Sequence, residues 1–539
     1  MNNFRSLLLL LFSVMFLFSG AIQDKNATTY FDKAFQAYEE GYSQKAIHYY
    51  KKAISLNKNY TDAYYNIAIA YTDTKQYGQA ITNYKKAISL NTNYRDAYYN
   101  LGIIYYDLKE YDSAISNYKR TILLSPEDGS AYYNLGLAYT DKGEYASAIS
   151  NYKISISIDP VYADAYNNLG IVYYNLKQYD LAMTNYQESI SLMPEFALPY
   201  NNLGLVYYYQ SNYPGAISNY KKAVELKNDY SDAYYNLGLA YDVIDDPARS
   251  ITNYKKAIEC DPYQADSYNN LGLVYSDMKK YDLAITNYKK ALSLDQNYKN
   301  AYYNLGIAYS AKKMYADAIE NYYKAISLDK NNAGVYNNLG NVYFDQKKFD
   351  TAISNYNKAV MINPLYTDAW FNLGLSYAEK GEHDTAIKYY EKVISLNPGD
   401  KVAYNNMGFA YADKKEYHKA IELFKKAVLI DPQYADALWN LGWYYIMIKK
   451  PDQALTYTLK AIKLNKDQDG PLLNAAIIHL LKGNTSKSKE YYGKAFSLMI
   501  EDHLTMETAQ KDLDTILEVY PEKKSAVEKM KDYLINQHQ

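Results

Sequence analysis

Apolar and polar positions recur with a helical period along most of this chain. In one stretch Tyr98, Leu101, Tyr105 and Leu108 fall at i, i+3, i+7 and i+10, which predicts a single apolar stripe on a short helix. Ala114, Ile115, Tyr118, Thr121 and Ile122 form a second stripe, in a helix beginning near Asp112. The polar turn from Asp107 to Asp112 separates the two helices. The second helix is predicted to stop before Pro126, as do its counterparts before Pro160, Pro262, Pro364, Pro398 and Pro432, because proline cannot continue a helix. The unit then repeats. Gly102, Gly136, Gly170, Gly204, Gly238, Gly272, Gly306, Gly340, Gly374, Gly408 and Gly442 stand 34 residues apart without an insertion, and Ala34, Ala68 and Ala476 keep the same phase. A 34-residue period is two short helices and two turns.

An aromatic, then Leu-Gly, Tyr, Ala, a second aromatic, Ala and Pro at set offsets resembles the tetratricopeptide repeat (TPR) family. The resemblance covers thirteen units over 27–467, followed by a degenerate repeat over 468–500 and C-terminal capping helices over 501–539. Departures are local: Ala34 and Ala68 stand for glycine, Pro247 and Pro451 for the turn aromatic, and Leu438 for the leading aromatic. The family implies an all-α fold, a right-handed superhelical solenoid of about 13 to 14 helix-turn-helix repeats. One unit cannot bury its own apolar face, so each stacks on the next, and the last layer must be polar. Helical stretches near Leu472 to Lys482, Ser486 to Leu498, Thr505 to Val519 and Glu522 to Ile535 fit that cap.

Composition then reads simply. Of 70 tyrosines, most occupy four packing slots per unit, represented by Tyr98, Tyr105, Tyr111 and Tyr118. The glycine lets a ring lie close to the helix backbone. The net charge of -2 gives no clustered cation for nucleic acid. Cys260 excludes an internal disulfide and, standing where neighbouring units have Leu226 and Leu294, is expected to be a small core residue. Met1 to Arg5 is a short positive region, Ser6 to Phe18 an apolar run, and Ser19-Gly20-Ala21 a small-residue cleavage site. These predict a signal peptide over 1–21 and a periplasmic or secreted protein, anchored in a membrane only if the signal is uncleaved.

The face of the first helix away from the stripe carries the candidate chemistry. At 100° per residue, Asp96, Tyr99, Asn100, Ile103, Tyr106 and Asp107 cluster there, almost without lysine. Two residues before each glycine stands an asparagine: Asn66, Asn100, Asn134, Asn168, Asn202, Asn236, Asn270, Asn304, Asn338, Asn372, Asn406 and Asn440, with Asn474 beyond. In TPR solenoids first helices line the concave surface, so the resemblance places this ladder along a groove. It is similar to the asparagine ladder in the TPR superhelix of O-linked N-acetylglucosamine transferases, which binds substrate polypeptide by its backbone. A carboxamide matches the donor and acceptor of a peptide unit; it can equally bond to a neighbouring helix.

Beside the ladder stand Tyr65, Tyr99, Tyr133, Tyr235 and Tyr303, with Asn167, Asn201, Asn269, Asn337 and Asn405 in the same slot of other units, and usually Ile or Leu follows the glycine. Near the C-terminal end Phe371, Phe409, Trp439 and Trp443 make the face strongly aromatic, as interface anchors or as packing under the cap. A second asparagine row, from Asn83 through Asn117 to Asn355, is expected to bond between repeats. Aspartates such as Asp62, Asp96, Asp107 and Asp141 make the groove acidic, and lysine pairs such as Lys85-Lys86 make the outside basic.

No His-Glu-x-x-His spacing, phosphate loop or nucleophile elbow appears, so no enzyme, cofactor or metal is expected. The predicted function is a scaffold that binds an extended, neutral or basic polypeptide in its groove. The alternative is a structural spacer that self-associates with the groove empty.

Overall fold

The computed structural model describes residues 25–465, 468–498 and 504–537, and these are helices joined by short turns. The predicted signal lies outside the described residues. Between the first and last hairpins each repeat has a first helix of 13 residues and a second of 14, as in Arg95–Asp107 and Tyr111–Leu124. The chain divides after Ser267 into two compact units. In the first, hairpins run from the helix over 25–39 with Ser43–Leu56 to Ser231–Val243 with Pro247–Cys260. The second continues the same hairpins to Asp469–Leu481 with Thr485–Ser497, then adds Leu504–Val519 and Lys524–Gln537.

The two stripes read from sequence are the hairpin core. Leu101, Tyr105, Ala114, Ile115, Tyr118 and Thr121 are buried, Tyr98 and Ile122 half-buried. Leu108 is exposed, because the helix ends one residue earlier and its side chain leaves the stripe. The first helix also buries Ala97 and Ile104, since it packs both on its own second helix and on that of the preceding repeat.

The glycine row and the tyrosine row are one device. A Cβ on Gly170 would lie 2.6 Å from Cε1 of Tyr186, and one on Gly102 the same distance from Tyr118, so the ring rests directly on the first helix's backbone. Where Ala68 replaces glycine it is fully buried opposite Tyr84.

The turn closes by a Schellman pattern: the Glu110 N–H donates to the Tyr105 carbonyl and the Lys109 N–H to that of Tyr106, both at 2.8 Å. Lys109 takes the left-handed conformation this requires, with φ of 60°, where Gly143 serves in the next repeat at 79°.

Cys260 is half-buried rather than core, like Leu226 and Leu294. All three end their second helix, where the chain turns away from the stack. The second asparagine row also differs from expectation. Asn83, Asn117 and Asn355 donate to carbonyls four residues back, those of Gln79, Ser113 and Thr351, each at 2.8 Å. They satisfy themselves within one helix because a carboxamide reaches that carbonyl more easily than the next repeat.

In the C-terminal region Asp469–Leu481 is buried almost all round, including Leu472, Leu473, Ile477 and Ile478. The solvent-facing layer is Lys524–Gln537, which buries Val527, Met530 and Leu534 and exposes much of the rest. Tyr520 fastens this segment by donating its hydroxyl to the Ile446 carbonyl at 2.9 Å. Among the described residues no helix is long and apolar enough to cross a membrane.

Candidate functional site

Within each unit, first helices of neighbouring repeats touch one another along one side, for example Arg95–Asp107 with Gly129–Asp141, and Ala333–Asp345 with Thr367–Glu379. This side carries the asparagine ladder. Asn236 and Asn440 are buried; the other ten rungs are half-buried.

The rungs are tied to one another through the slot beside them. Asn100 donates its amide to the Tyr65 hydroxyl at 3.0 Å, Asn134 to Tyr99 at 2.9 Å, Asn168 to Tyr133 at 2.7 Å and Asn338 to Tyr303 at 3.0 Å. Where the slot holds asparagine, its carbonyl accepts instead: Asn202 reaches Asn167, Asn236 reaches Asn201, Asn372 reaches Asn337 and Asn440 reaches Asn405, each at 3.0 Å, and Asn304 reaches Asn269 at 3.1 Å. Asn66 and Asn406 donate within their own helices. Asn270 is half-buried and its carbonyl accepts from Asn269 at 3.0 Å.

Each tie uses one N–H of a group that has two, plus a carbonyl. Among the described residues no donor reaches the side-chain carbonyl of Asn134, Asn202 or Asn372. The ladder is therefore an inter-repeat brace whose rungs keep acceptor capacity.

Tyr99, Tyr133 and Tyr235 are half-buried and act as wedges. Their rings lie 6.2, 5.9 and 5.9 Å from Tyr118, Tyr152 and Tyr254 of the same repeat, and Tyr133 also packs 4.8 Å from Tyr162 of the next. Burial pushes the phenols of Tyr65, Tyr133 and Tyr303 up, so they remain neutral acceptors for the rungs. Phe371 packs in the same way, 5.7 Å from Tyr390. The half-buried row after each glycine, including Ile103, Leu137, Ile171 and Leu205, shares this side with the rungs. Exposed carboxylates complete it: Asp62 accepts from Tyr94 at 3.1 Å and Asp141 from Tyr106 at 2.6 Å.

At the C-terminal end the structure brings Phe409, Trp439, Asn440 and Trp443 together around a cavity of about 570 Å³. Phe371 is not part of it. Trp439 lies so close to the following helix that a Cβ on Gly470 would come within 2.5 Å of its ring, so it packs under the cap and lines the cavity as well. The opposite wall is Thr508, Lys511, Asp512 and Thr515, one face of Leu504–Val519 at i, i+3, i+4 and i+7. Burial pushes the Asp512 carboxyl up to about 6, against a lowering by Lys511. Sequence reasoning missed this wall. Its apolar stripe marked a helix, but nothing in it marked which surface the helix would fold back on.

Among curated proteins none matches the chain. Among solved structures it is similar to YrrB, described as a TPR protein with an unusual peptide-binding site, with 32% identity over 34% of this chain and 95% of that one and a TM-score of 0.30. It is similar to MamA at 36% identity over 32% and 94%, TM-score 0.30, and to Cut9 in the Cut9–Hcn1 assembly at 15% over 81% and 93%, TM-score 0.39. Family models described as TPR or tetratricopeptide repeat match 27–60, 49–82, 69–109, 102–140, 136–177, 163–196, 204–242, 231–264, 263–331, 321–354, 340–381, 367–400 and 402–467. With the glycine-on-tyrosine hairpin recurring through both units, the chain belongs to the tetratricopeptide repeat family, whose arrays are scaffolds that bind protein or peptide partners.

Proposed function

We propose that this chain is a non-enzymatic scaffold that holds an extended, neutral or basic polypeptide segment along the inner side of its first helices. The observation that carries the reading is the set of half-buried rungs Asn134, Asn202 and Asn372, whose side-chain carbonyls accept nothing from the described residues. Those carbonyls accept backbone N–H groups of the guest, while the Ile and Leu row contacts its side chains. Exposed aspartates disfavour an acidic guest. A photoreactive residue in place of Leu205, activated in the native cell, is expected to give adducts with a second polypeptide. Adducts only with solvent would sink the reading.

One observation favours a structural spacer instead: a donor of nearly every rung is already spent between repeats. On that alternative, the same crosslinker yields only adducts of the chain with itself, and native mass spectrometry shows concentration-dependent oligomers. The reading also places the protein outside the cytoplasm, on the strength of the apolar run Ser6 to Phe18 and the small residues after it. N-terminal sequencing of protein from the native cell is expected to start near Ile22; a start at Met1 contradicts cleavage.

A further inference from the structure

The cavity at the end of the second unit has a chemistry that the middle repeats lack. Phe409, Trp439 and Trp443 present aromatic surface to it, and aromatic faces attract cations through their quadrupole. Asp512 adds a carboxyl from the helix opposite. Among the described residues Asp512 has no hydrogen bond and no ion pair, and Asp413 and Asp469 add further negative charge to the lining. Lys415 and Lys511 also border it, but both are exposed and their ammoniums can extend to solvent. An anion here would face the half-buried Asp469 and Asp512 carboxyls, Asp413 being exposed like the two lysines. A purely apolar guest would strip water from Asp512 and give nothing back, which is costly for a carboxylate. A cation with an apolar envelope answers both walls, and about 570 Å³ is within the range of small-ligand sites.

We propose that this cavity binds an alkylammonium group, with Phe409, Trp439 and Trp443 around the cation and the Asp512 carboxylate as its counter-ion. The group belongs to a lysine side chain of a bound polypeptide or to a free organic cation; the chemistry is shared, and the inference does not require the ladder to be occupied.

The chain has three tryptophans, so Trp370→Phe leaves Trp439 and Trp443 as the only fluorophores excited at the red edge, where its 70 tyrosines do not absorb. In that background, at constant ionic strength, the full chain is titrated with choline and with its neutral isostere 3,3-dimethylbutan-1-ol. A second pair is Nα-acetyl-lysine methylamide and the corresponding norleucine derivative. The expected result is a saturable change with at least one cation, about tenfold tighter than its neutral partner. Asp512→Asn should abolish that preference with circular dichroism unchanged, and Trp443→Leu, read by calorimetry, should weaken binding independently. Saturation by the lysine derivative assigns the pocket to a polypeptide side chain, and saturation by choline alone assigns it to a free cation. No saturable response to either cation, or equal binding of the neutral isosteres, overturns the proposal. The ladder variant Asn134→Ala/Asn168→Ala/Asn202→Ala should leave cation binding intact, so this site and the groove fail separately.

Discussion

The middle repeats of the first unit and the last repeats of the second use the same slots to different ends. Around Asn100 and Asn134 the slot beside each rung holds tyrosine, Tyr99 and Tyr133, whose hydroxyl ties the next rung, and a large ring fills the space under each glycine. Around Asn440 the register is identical but the occupants change. Trp439 replaces the tyrosine, Trp443 replaces the Ile or Leu row, Thr458 replaces the ring opposite Gly442, and a helix from beyond the repeats supplies another wall. A regular stack spends its polar groups on its neighbours. A cavity with an unpaired carboxyl forms where that regularity is broken.

The most severe way to break the contrast is Tyr186→Thr, which gives a central repeat the residue that Thr458 provides at the end. Tyr186 is 1% exposed, so the loss should be roughly 4 kcal/mol from the cavity left behind. Urea unfolding measures it, and a loss near zero would mean the ring is not the keystone of its hairpin. Next comes the ladder. Removing Asn134, Asn168 and Asn202 together should cost about 1 kcal/mol for each brace, with faster hydrogen exchange in the first helices around them. Unchanged exchange would show the braces to be incidental.

The third test concerns Asp512, whose carboxyl is raised to about 6 from an unfolded value near 4. The folded state then holds the proton more tightly. The contribution of this carboxyl to stability is greatest below pH ~4, falls as pH rises through about 6 and is level above, by roughly 3 kcal/mol in all. Asp512→Asn should flatten melting temperature across that window, and an unchanged slope would place the carboxyl in water. The smallest effect is at the turns. Lys109→Gly removes a left-handed lysine and should gain about 0.5–1 kcal/mol, while Gly143→Ala should lose about as much. Equal melts for both would mean the turns do not feel the side chain.

The helices were legible because they carry two independent signals, the 34-residue phase and the stripes of Tyr98 to Tyr105 and Ala114 to Ile122. The second buried arc through Ala97 and Ile104 was not, because it faces another repeat and small or branched residues there carry no period of their own. Cys260 was misplaced for a similar reason: register gives a slot, and burial at the end of a helix depends on where the chain goes next. The ladder's positions were plain from spacing, but their bonds were not. Asn134 bonds across repeats and Asn117 bonds within its helix, though both are asparagines on the same 34-residue period.

What the sequence alone determined is the repeating hairpin, its glycine-on-tyrosine contact and the register of the rungs, because local periodicity and one close approach specify them. Only tertiary structure decided that most rungs are held by the slot one repeat earlier, while Asn66 and Asn406 bond within their own helices, and that Leu504–Val519 returns to enclose Trp439 and Trp443 with Asp512. Those contacts join residues distant in sequence, and they depend on side-chain direction and the path of the chain, neither of which a periodic pattern encodes.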